Sequence, residues 1–290
     1  MKNLTLQALI SIVVTLLAAG TLAWAGSQDG EYAWGAPLFA LCGVLSFAIN
    51  WIIFIPSYLA QTERYFDFTG TLTYLTLIGF ALGSTEIVDS RGILLAILVS
   101  IWALRLGSFL FRRIREDGSD PRFDKIKPNF ARFLMAWTLQ GLWVFLTLSC
   151  ALTAMTTTIQ IGIGSWAIVG TVIWIAGFII EVVADQQKRT FRADPKNRDR
   201  FITSGLWSRS RHPNYFGEIS LWVGIAIIAF PVLYGWQLLT LVSPIFVFFL
   251  LTKISGVNML EARGHKRWGK DSKYKDYLKK TPVLIPRLGR

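Results

Sequence analysis

The fold is decided by one stretch of the chain, Ser208-Arg209-Ser210-Arg211-His212-Pro213-Asn214-Tyr215-Phe216-Gly217-Glu218. It gathers basic and polar groups, a proline and a carboxylate, and a long apolar run begins within it and continues to Phe230. Pro213 suits the first turn of a helix, where its missing N–H needs no partner. The stretch therefore marks a charged loop that turns into a membrane-type helix. So many charged and polar side chains at the start of such a helix indicate an anionic or nucleotide ligand.

The rest of the chain has the composition of a membrane protein. Its 290 residues are 53% hydrophobic and only 17% charged, with 12 Trp and 20 Phe, and a soluble domain of this size needs more charge. The run Leu4–Ala23 is too long for a typical signal-peptide core and no clear cleavage site follows, so we expect a first spanning helix. Cys42 and Cys150 lie in apolar runs and there are only two histidines, so we expect neither a disulfide framework nor a metal site.

Eight apolar segments have the length of spanning helices, and we expect an all-α integral membrane protein with seven to eight of them. They are Leu4–Trp24, Pro37–Tyr58, Thr71–Ile87, Ile93–Phe111, Phe133–Met155, Trp166–Asp185, Tyr215–Phe230 and Leu238–Ser255. If sides alternate, nearly all of the 30 Lys and Arg residues fall on the side of the N-terminus, whereas Arg91 falls on the other side and Arg105 lies inside the fourth segment. The positive-inside rule then predicts that both termini are cytoplasmic.

The basic residues form three blocks, Arg112–Arg132, Lys188–Arg211 and Arg263–Arg290, and the net charge is +12. Most of this charge is explained by topology and by attraction to anionic lipid headgroups. We therefore expect membrane lipids as partners and no nucleic acid. Some of the basic residues can instead bind phosphates. The sequence leaves the oligomeric state open.

Ionisable residues inside spanning segments are costly and usually face an interior or a water-filled cavity. Those at or near such positions here are Arg105, Glu181, Asp185, Glu218, Lys253 and Glu261. Glu181 and Asp185 are four apart and share one helix face. That face is either an ion ladder at the membrane border or the lining of a polar cofactor cavity, and the polar stretch downstream favours the cavity. Arg105 either neutralises Glu181 or Glu218 or contacts the ligand directly.

Candidate phosphate-binding groups follow the sixth segment. Lys188 and Arg192 are four apart and could clamp phosphate oxygens. Arg211 and His212 add donors, and Asn214 with the start of the next helix offers N–H groups and a favourable dipole for an anion. The sequence has no Gly-x-Gly-x-x-Gly after a strand and no phosphate-loop lysine motif. A nucleotide must therefore be held by the helical bundle.

Three motifs carry a resemblance to a known superfamily. Arg211–Glu218 resembles the C-terminal core motif shared by steroid 5-alpha-reductases, sterol reductases and isoprenylcysteine carboxyl methyltransferases. The end of the chain resembles the closing motif of the same superfamily. The residues that carry this resemblance are Glu261, Arg267-Trp268-Gly269, Tyr274, Tyr277 and Thr281-Pro282-Val283-Leu284-Ile285-Pro286. With Ala184-Asp185-Gln186-Gln187-Lys188, the chain resembles the bacterial branch of steroid 5-alpha-reductase-like proteins, a family of unknown function. The resemblance covers roughly residues 102–286.

The resemblance implies a membrane enzyme, in a bacterial inner membrane, with a cofactor pocket that faces the cytoplasm. The cofactor is NADPH in the reductases and S-adenosylmethionine in the methyltransferases. By position, Asp185, Arg192, Asn214 and Glu218 match cofactor-contacting positions of the reductases, and Arg105 matches an arginine of the corresponding helix. Residues 1–100 are then N-terminal spanning helices on the substrate side. Residues 101–290 are a reductase-like core with the cofactor pocket and a cytoplasmic tail.

The chain departs from the steroid-reducing members at the substrate. Those members carry a Gln-Glu pair before a Leu-Pro-Ser step, and a tyrosine in a later helix, which together hold the substrate carbonyl. Here the similar step is Ile55-Pro56-Ser57, Ile53 and Phe54 take the places of the pair, and Trp102 takes that of the tyrosine. This predicts that the protein does not reduce a steroid 4-ene-3-ketone by that arrangement.

Three functions follow as hypotheses. The first is an NADPH-dependent reductase of a lipophilic unsaturated substrate, with phosphates on Lys188, Arg192 and Arg211. In it, a ribose or amide group is held by further polar residues, and Tyr215 and Glu218 are the catalytic candidates. The second is a methyltransferase of lipid or prenyl groups that uses S-adenosylmethionine. The third is a non-catalytic lipid-binding protein. The wider set of candidate cofactor-binding residues is Arg105, Glu181, Asp185, Lys188, Arg192, Arg211, His212, Asn214, Glu218 and Glu261.

Overall fold

The computed structural model describes the backbone of residues 2–117 and 119–287, which is almost entirely helical. Its α-helices are α1 (Lys2–Gly26), α2 (Leu38–Leu59), α3 (Phe66–Ser84), α4 (Ser90–Asp117), α5 (Phe130–Thr156), α6 (Ser165–Ala193), α7 (Pro213–Ala229), α8 (Val242–Phe249), α9 (Val257–Trp268) and α10 (Ser272–Lys280). Two short strands, β1 (Tyr32–Ala33) and β2 (Ala36–Pro37), pair antiparallel between α1 and α2. Of the predicted basic blocks, the side chains of residues 112–118 and all of residues 288–290 lie outside the described part.

Seven helical segments of the described chain are long and apolar enough to cross a membrane. They are Asn3–Gly26, Leu38–Leu59, Ser90–Leu110, Phe130–Thr156, Ser165–Ala193, Pro213–Val232 and Gly235–Trp268. The predicted third segment is also a helix, α3, but it begins earlier, at Phe66, and its threonines make it less apolar. The prediction of an all-helical integral membrane protein with seven to eight spans is confirmed. The cytoplasmic placement of the termini stays a prediction.

The predicted eighth helix, Leu238–Ser255, is not one uniform helix. A 3₁₀ segment, Gly235–Leu241, comes first, then α8, and then a π-helical turn, Leu250–Ile254. Pro244 stands in the first turn of α8 and has no N–H to continue a ladder from the preceding turn, so the helix restarts there. At the other end the Ser255 N–H donates to Leu250 O at 2.9 Å, which widens the last turn.

The chain folds into two compact units. The first unit contains Met1–Ala167 and Ile228–Ser243, and the second contains Ile168–Ile227 and Pro244–Arg290. In the first unit α5 is the central helix, since every residue from Thr147 to Thr156 is buried. Most of its hydroxyl groups are satisfied locally or by neighbours, and Ser149 Oγ donates to Thr240 O at 2.8 Å, whereas Thr153 Oγ1 has no partner among the described residues. A buried helix can carry polar groups when each finds such a partner.

Arg91, the lone basic residue expected on the non-cytoplasmic side, is a structural clamp of the first unit. Its side chain is only 1% exposed. The guanidinium donates to Ile161 O at 3.2 and 3.1 Å, to Gly162 O at 2.9 Å and to Ile228 O. Because a guanidinium has five N–H donors in a fixed fork, one residue joins the loop between α5 and α6 to the last turn of α7 and satisfies carbonyls of both.

A buried ion pair joins two loops of the first unit. Lys127 Nζ lies 2.6 Å from Glu63 Oε2, and Glu63 Oε1 accepts the Asp120 N–H at 2.7 Å. Burial alone would raise the pKa of Glu63, but the hydrogen bonds from Lys127 and Asp120 outweigh it and hold that pKa below its usual range. Beside the pair, the rings of Phe66 and Phe123 meet with centroids 4.9 Å apart. The loop between α4 and α5 is therefore held to the start of α3.

In the second unit α6 and α7 run antiparallel and touch through glycines. A Cβ on Gly217 would lie 2.5 Å from Gly177 O, and a Cβ on Gly224 would lie 2.6 Å from Gly170 O. Small residues let two membrane helices approach to backbone contact, which is the main source of packing energy between helices in lipid. The contact places the end of α6 and the start of α7 at the same end of the helix pair.

We predict that Gly217→Ala lowers the unfolding temperature of the detergent-solubilised protein. The added methyl group would overlap the Gly177 carbonyl, and overpacking of this kind costs about 1–3 kcal/mol. Gly79→Ala is the matched control, because Gly79 is an exposed α3 glycine with nothing within 4 Å of a built Cβ. Equal unfolding temperatures for the two variants would contradict the close-contact account.

Candidate functional site

A cavity of about 130 Å³, with both charged and apolar side chains in its wall, lies within the second unit. The end of α6, the loop to α7, the first residues before α7, and helices α9 and α10 build its wall. The lining residues are Lys188, Phe191, Arg192, Arg200, Phe201, Ile202, Trp207, Arg211, His212, Leu260, Glu261, Gly264, Trp268, Tyr274, Tyr277 and Leu278. The wall thus combines cations, aromatic rings and a few aliphatic side chains, with Glu261 as its carboxylate among the described residues.

The loop between α6 and α7 is folded by local contacts. Gly205 adopts a φ of +61°, in the left-handed region that favours glycine. The next N–H, from Leu206, donates to Gln187 Oε1 at 2.9 Å, and Trp207 Nε1 donates to Ala184 O at 3.0 Å. These bonds fold the loop back on α6, so that the indole of Trp207 lies 4.6 Å from Lys188 Nζ in a cation–π contact.

Glu261 carries the negative charge of the cavity wall. Its Oε1 lies 2.8 Å from Arg211 Nη1 and 3.4 Å from His212 Nε2. Burial lowers the pKa of His212 to about 3, and the charges of Lys188 and Arg211 act in the same direction. The imidazole is therefore neutral near pH 7. Because a carboxylate only accepts, Nε2 carries the proton and Nδ1 is left as an acceptor.

Consecutive polar residues of the motif present buried atoms without a partner. Among the described residues, Arg211 Nε, His212 Nδ1 and Asn214 Oδ1 have no hydrogen-bond partner. An unsatisfied buried donor or acceptor costs about 1–3 kcal/mol. Two of these atoms, Arg211 Nε and His212 Nδ1, belong to residues of the cavity wall, so an open donor and an open acceptor there indicate that the missing partner is a polar ligand.

Aromatic residues of the tail close the other side of the cavity. The Phe201 ring packs against Tyr274, Tyr277 and Trp268, with centroid distances of 5.0, 5.7 and 5.8 Å. Tyr277 Oη donates to Trp207 O at 2.7 Å. Burial raises the pKa of both Tyr274 and Tyr277, so both phenols stay protonated.

Hydrogen bonds to backbone carbonyls dock the end of the tail onto the loop before α7. The Arg211 N–H donates to Pro282 O at 2.9 Å, and Ser210 Oγ donates to Leu284 O at 2.7 Å. The segment from Glu261 to Tyr277 belongs to the predicted cytoplasmic tail. The structure makes part of it the wall of the cavity.

A second, larger cavity of about 740 Å³ adjoins the first. The two share Arg200, Phe201 and Tyr277 in their walls, and the larger one is lined by charged and hydroxyl side chains that include Asp199, Ser208 and Lys280. A ligand with two polar ends has room to extend from the aromatic cavity into this charged one.

The structure brings some of the predicted residues into the wall and leaves others behind it. Lys188, Arg192, Arg211, His212 and Glu261 line the cavity. The rest of the predicted set does not: Arg105, Glu181, Asp185, Asn214, Tyr215 and Glu218 are absent from the lining. Arg105 belongs to the first unit, where its guanidinium lies 5.8 Å from the Phe109 ring centroid.

The residues behind the wall have definite places. Glu181 is 2% exposed, and its backbone N–H lies at the contact with Gly217. Tyr215 stacks on His212, with ring centroids 5.6 Å apart and planes inclined by 6°. Asp185 on α6 and Glu218 on α7 are half-buried.

Residues not predicted as site residues make up much of the wall. Arg200, Phe201 and Trp207 come from the loop, whereas Leu260, Gly264 and the aromatic residues come from the tail. The closing motif contained Trp268, Tyr274 and Tyr277, so their clustering was the signal available in the sequence. Phe201 had no local signal, because its neighbours are far away in the chain.

The positions that depart from the steroid-reducing members lie in the first unit. Phe54 is 3% exposed and packs in an aromatic cluster with Phe133 and Trp137. Trp102 is 2% exposed, and its ring meets that of Tyr74 at 5.3 Å. Aromatic rings therefore pack around Phe54 and Trp102, and the absence of the carbonyl-holding pair at these positions stays a prediction from the sequence.

The helical membrane fold and the motifs that build this cavity place the chain in the steroid 5-alpha-reductase-like superfamily. Within it, the chain belongs to the family described as "Protein of unknown function (DUF1295)", whose family model matches residues 53–281.

Individual relatives are distant. The chain is 30% identical over 119 residues to a 3-oxo-5-alpha-steroid 4-dehydrogenase 1 of Macaca fascicularis, which covers 41% of the chain and 40% of the relative. It is 24% identical over 259 residues to an uncharacterised protein of Schizosaccharomyces pombe, covering 79% and 73%. It is 33% identical over 67 residues to a probable O-methyltransferase of Ustilaginoidea virens, covering 23% of each. The chain thus spans about 40% of the length of the steroid dehydrogenases that it matches.

We predict that His212→Gln flattens the loss of stability on acidification. The pKa of His212 is about 3 in the fold against an ordinary 6.5, so the unfolded state takes up a proton first as the pH falls. The free energy of unfolding then decreases below about pH 6.5, by up to about 1.4 kcal/mol per pH unit. Unfolding temperatures between pH 7.5 and 4.5 should fall less steeply in the variant. His265→Gln, at an exposed position of α9, is the control, and parallel curves for wild type and His212→Gln would contradict the prediction.

Proposed function

We propose that this protein is an NADPH-dependent membrane reductase of a lipophilic, unsaturated substrate. The observation that carries the proposal is the cavity of the second unit, where cationic side chains surround an aromatic interior that contains buried, unpartnered polar atoms. Resemblance to steroid 5-alpha-reductases supports the reaction class.

The residues present fit a phosphorylated dinucleotide. Lys188, Arg192, Arg200 and Arg211 line the cavity, and only Arg211 has a carboxylate partner there among the described ion pairs. Guanidinium groups bind phosphate oxygens through two parallel hydrogen bonds, and the lysine supplies a point charge. Rings such as Phe201 and Trp207 offer flat apolar surfaces for a base or a nicotinamide.

The polar residues of the motif orient the reacting part of a bound cofactor. The nicotinamide group, when bound, supplies a hydride. His212 Nδ1 and Asn214 Oδ1 are acceptors for amide or hydroxyl hydrogens, while Arg211 Nε is a donor. Glu261 holds Arg211 and His212 in place through its Oε1.

Reduction of a C=C bond also needs a proton, and we assign it to Tyr215. Its ring is half-buried on α7 directly behind the wall, where it stacks on the neutral His212, so the phenol would have to reach a bound substrate past His212, which lines the cavity. Glu218 follows about one turn later and serves to position Tyr215 and the cofactor. The tail that packs on Phe201 excludes water from the cavity, which limits loss of the hydride to side reactions.

The substrate side is assigned to residues 1–100 and the cofactor side to residues 101–290, with the cavity facing the cytoplasm of a bacterial inner membrane. The basic residues near the cavity agree with the positive-inside rule. Because apolar side chains stand where steroid-reducing members hold a carbonyl, the substrate is a lipid other than a steroid 4-ene-3-ketone.

A methyltransferase is the second candidate, and one observation favours it. Aromatic rings attract a sulfonium through cation–π contacts as well as they stack on a base, and a relative over a short stretch is a probable O-methyltransferase. Against it stand the cations of the wall, since S-adenosylmethionine has no phosphate and its sulfonium is repelled by Lys188 and the arginines.

The first test is a comparison of cofactors by thermal stability of the detergent-purified protein. A ligand that binds only the folded state raises stability, by about 2.7 kcal/mol at a concentration of one hundred times its Kd. We expect NADPH to raise the unfolding temperature, NADH to raise it less and S-adenosylmethionine to leave it unchanged. A rise with S-adenosylmethionine alone would make the protein a methyltransferase. No rise with any of the three would support a non-catalytic lipid-binding protein.

We further predict that the double variant Lys188→Ala, Arg192→Ala loses far more affinity for NADPH than for NADH. The two cofactors differ by the 2′-phosphate, and loss of two charge-assisted contacts costs about 1.5–3 kcal/mol each, or roughly 10-fold or more per contact. Isothermal titration gives both dissociation constants. The control is Arg189→Ala, Lys196→Ala, which removes the same charge from the same segment outside the cavity wall. Equal loss for both cofactors would refute the phosphate assignment.

A further inference from the structure

The lysines and arginines of α9, α10 and the turn between them fall into three groups. Arg267 is paired, since its Nη2 lies 2.8 Å from Asp199 Oδ1. Lys273 and Lys280 line the larger cavity of the second unit. The remaining five, which we call the outer cations, are exposed, line neither cavity and form no ion pair among the described residues. They are Arg263, Lys266, Lys270, Lys275 and Lys279.

The carboxylates of the same two helices and their turn are placed differently. Glu261 lines the smaller cavity, where it holds Arg211. Asp271 and Asp276 line the larger cavity, and Asp271 also caps α10 by accepting the Lys273 N–H at 2.8 Å. The negative charge of this part of the tail therefore lies at the cavities, and the outer cations are not neutralised by it.

The periodicity of α10 separates its cavity face from its cationic face. Tyr274, Tyr277 and Leu278 line the smaller cavity. Lys275 and Lys279 are exposed, and because they are four residues apart they lie next to each other on the helix surface. Like charges at this spacing repel each other, so an anionic partner would stabilise this face of α10.

The position of α9 places the outer cations near the membrane border. The apolar part of the last spanning segment ends in the π-helical turn Leu250–Ile254, just before α9 begins. On α9 the exposed Met259 shares a face with Arg263 and Lys266, which follow it by four and seven residues. An apolar side chain followed by cations on one face suits the boundary between acyl chains and headgroups.

We propose that the outer cations form a binding face for the anionic headgroups of a bilayer, so that α9 and α10 lie between the membrane surface and the cavity. Each lysine or arginine near an anionic bilayer strengthens association about fivefold, which corresponds to about 1 kcal/mol. A bilayer offers many headgroup charges at once, and this matches cations that are spread along two helices. The binding of lipid does not depend on the proposed reductase activity.

The test measures lysine reactivity in the wild-type protein, in nanodiscs without NADPH. A water-soluble reagent acetylates the protein in discs of phosphatidylcholine alone or with phosphatidylglycerol added, and mass spectrometry gives the rate at each lysine. Lys275 and Lys279 should react about fivefold more slowly in the anionic discs. Lys273 and Lys280, on the same helix but at the larger cavity, should react equally fast in both. Soluble glycerol phosphate added to the neutral discs should leave all four rates unchanged.

A matched pair of variants gives a second readout. A photoreactive phosphatidylglycerol labels the protein in the anionic discs, and the yield on peptides of α9 and α10 is measured. The double variant Lys275→Gln, Lys279→Gln should lower that yield about fivefold or more. The control, Lys273→Gln with Lys280→Gln, removes the same charge from the same helix and should leave the yield unchanged.

The wild-type rates decide the matter even if a variant fails to fold. Equal rates at Lys275 and Lys279 in the two kinds of disc overturn the proposal. So does an equal slowing of all four lysines, since the bilayer charge would then act diffusely, and so does slowing by soluble glycerol phosphate. A protein that is protected by anionic lipid but not stabilised by NADPH would keep this lipid face and lose the reductase.

Discussion

Contact between the backbones of α6 and α7 is the constraint on which the cavity of the second unit depends. Gly177 and Gly217 let the two antiparallel helices touch. As a result, Lys188 and Arg192, at the end of α6, stand at the same end of the pair as Arg211 and His212, which precede α7. Larger side chains at the glycines would separate the two helices. The pair Lys188 and Arg192 would then lie farther from the pair Arg211 and His212.

Electrostatics make this cavity a site that is incomplete by itself. Cations from α6, the loop and the start of α7 converge on a space where Glu261 is the lining carboxylate among the described residues. Like charges in a partly dry cavity repel one another, and the buried neutral His212 offers an acceptor rather than more charge. An anion with several oxygens would relieve the repulsion and accept from Arg211 Nε, whereas the open acceptors His212 Nδ1 and Asn214 Oδ1 need a donor group. Without a ligand, only the packing of the surrounding side chains would hold these like charges close together.

The first unit buries many polar side chains, and they are satisfied to different degrees. Backbone carbonyls accept hydrogen bonds from several of them, as with Arg91 and Ser149. Others, such as Thr153 Oγ1 and Gln140 Oε1, have no hydrogen-bond partner among the described residues. At Phe54 and Trp102 aromatic rings are packed against other rings.

The sequence by itself determined the membrane fold, most helix positions and the basic part of the cavity. Run length and hydropathy are local properties, and so is the four-residue spacing that puts Lys188 and Arg192 on one face of α6. Only the tertiary structure decided the aromatic wall, because Phe201 meets Tyr274 across more than seventy residues of chain. It also decided that Glu181 and Tyr215 stand behind the cavity wall rather than in it, and that Gln140 has a free oxygen, since that depends on a carbonyl from another helix, Phe66. Contacts between distant segments leave no periodic pattern in the sequence, whereas helices and charge blocks do.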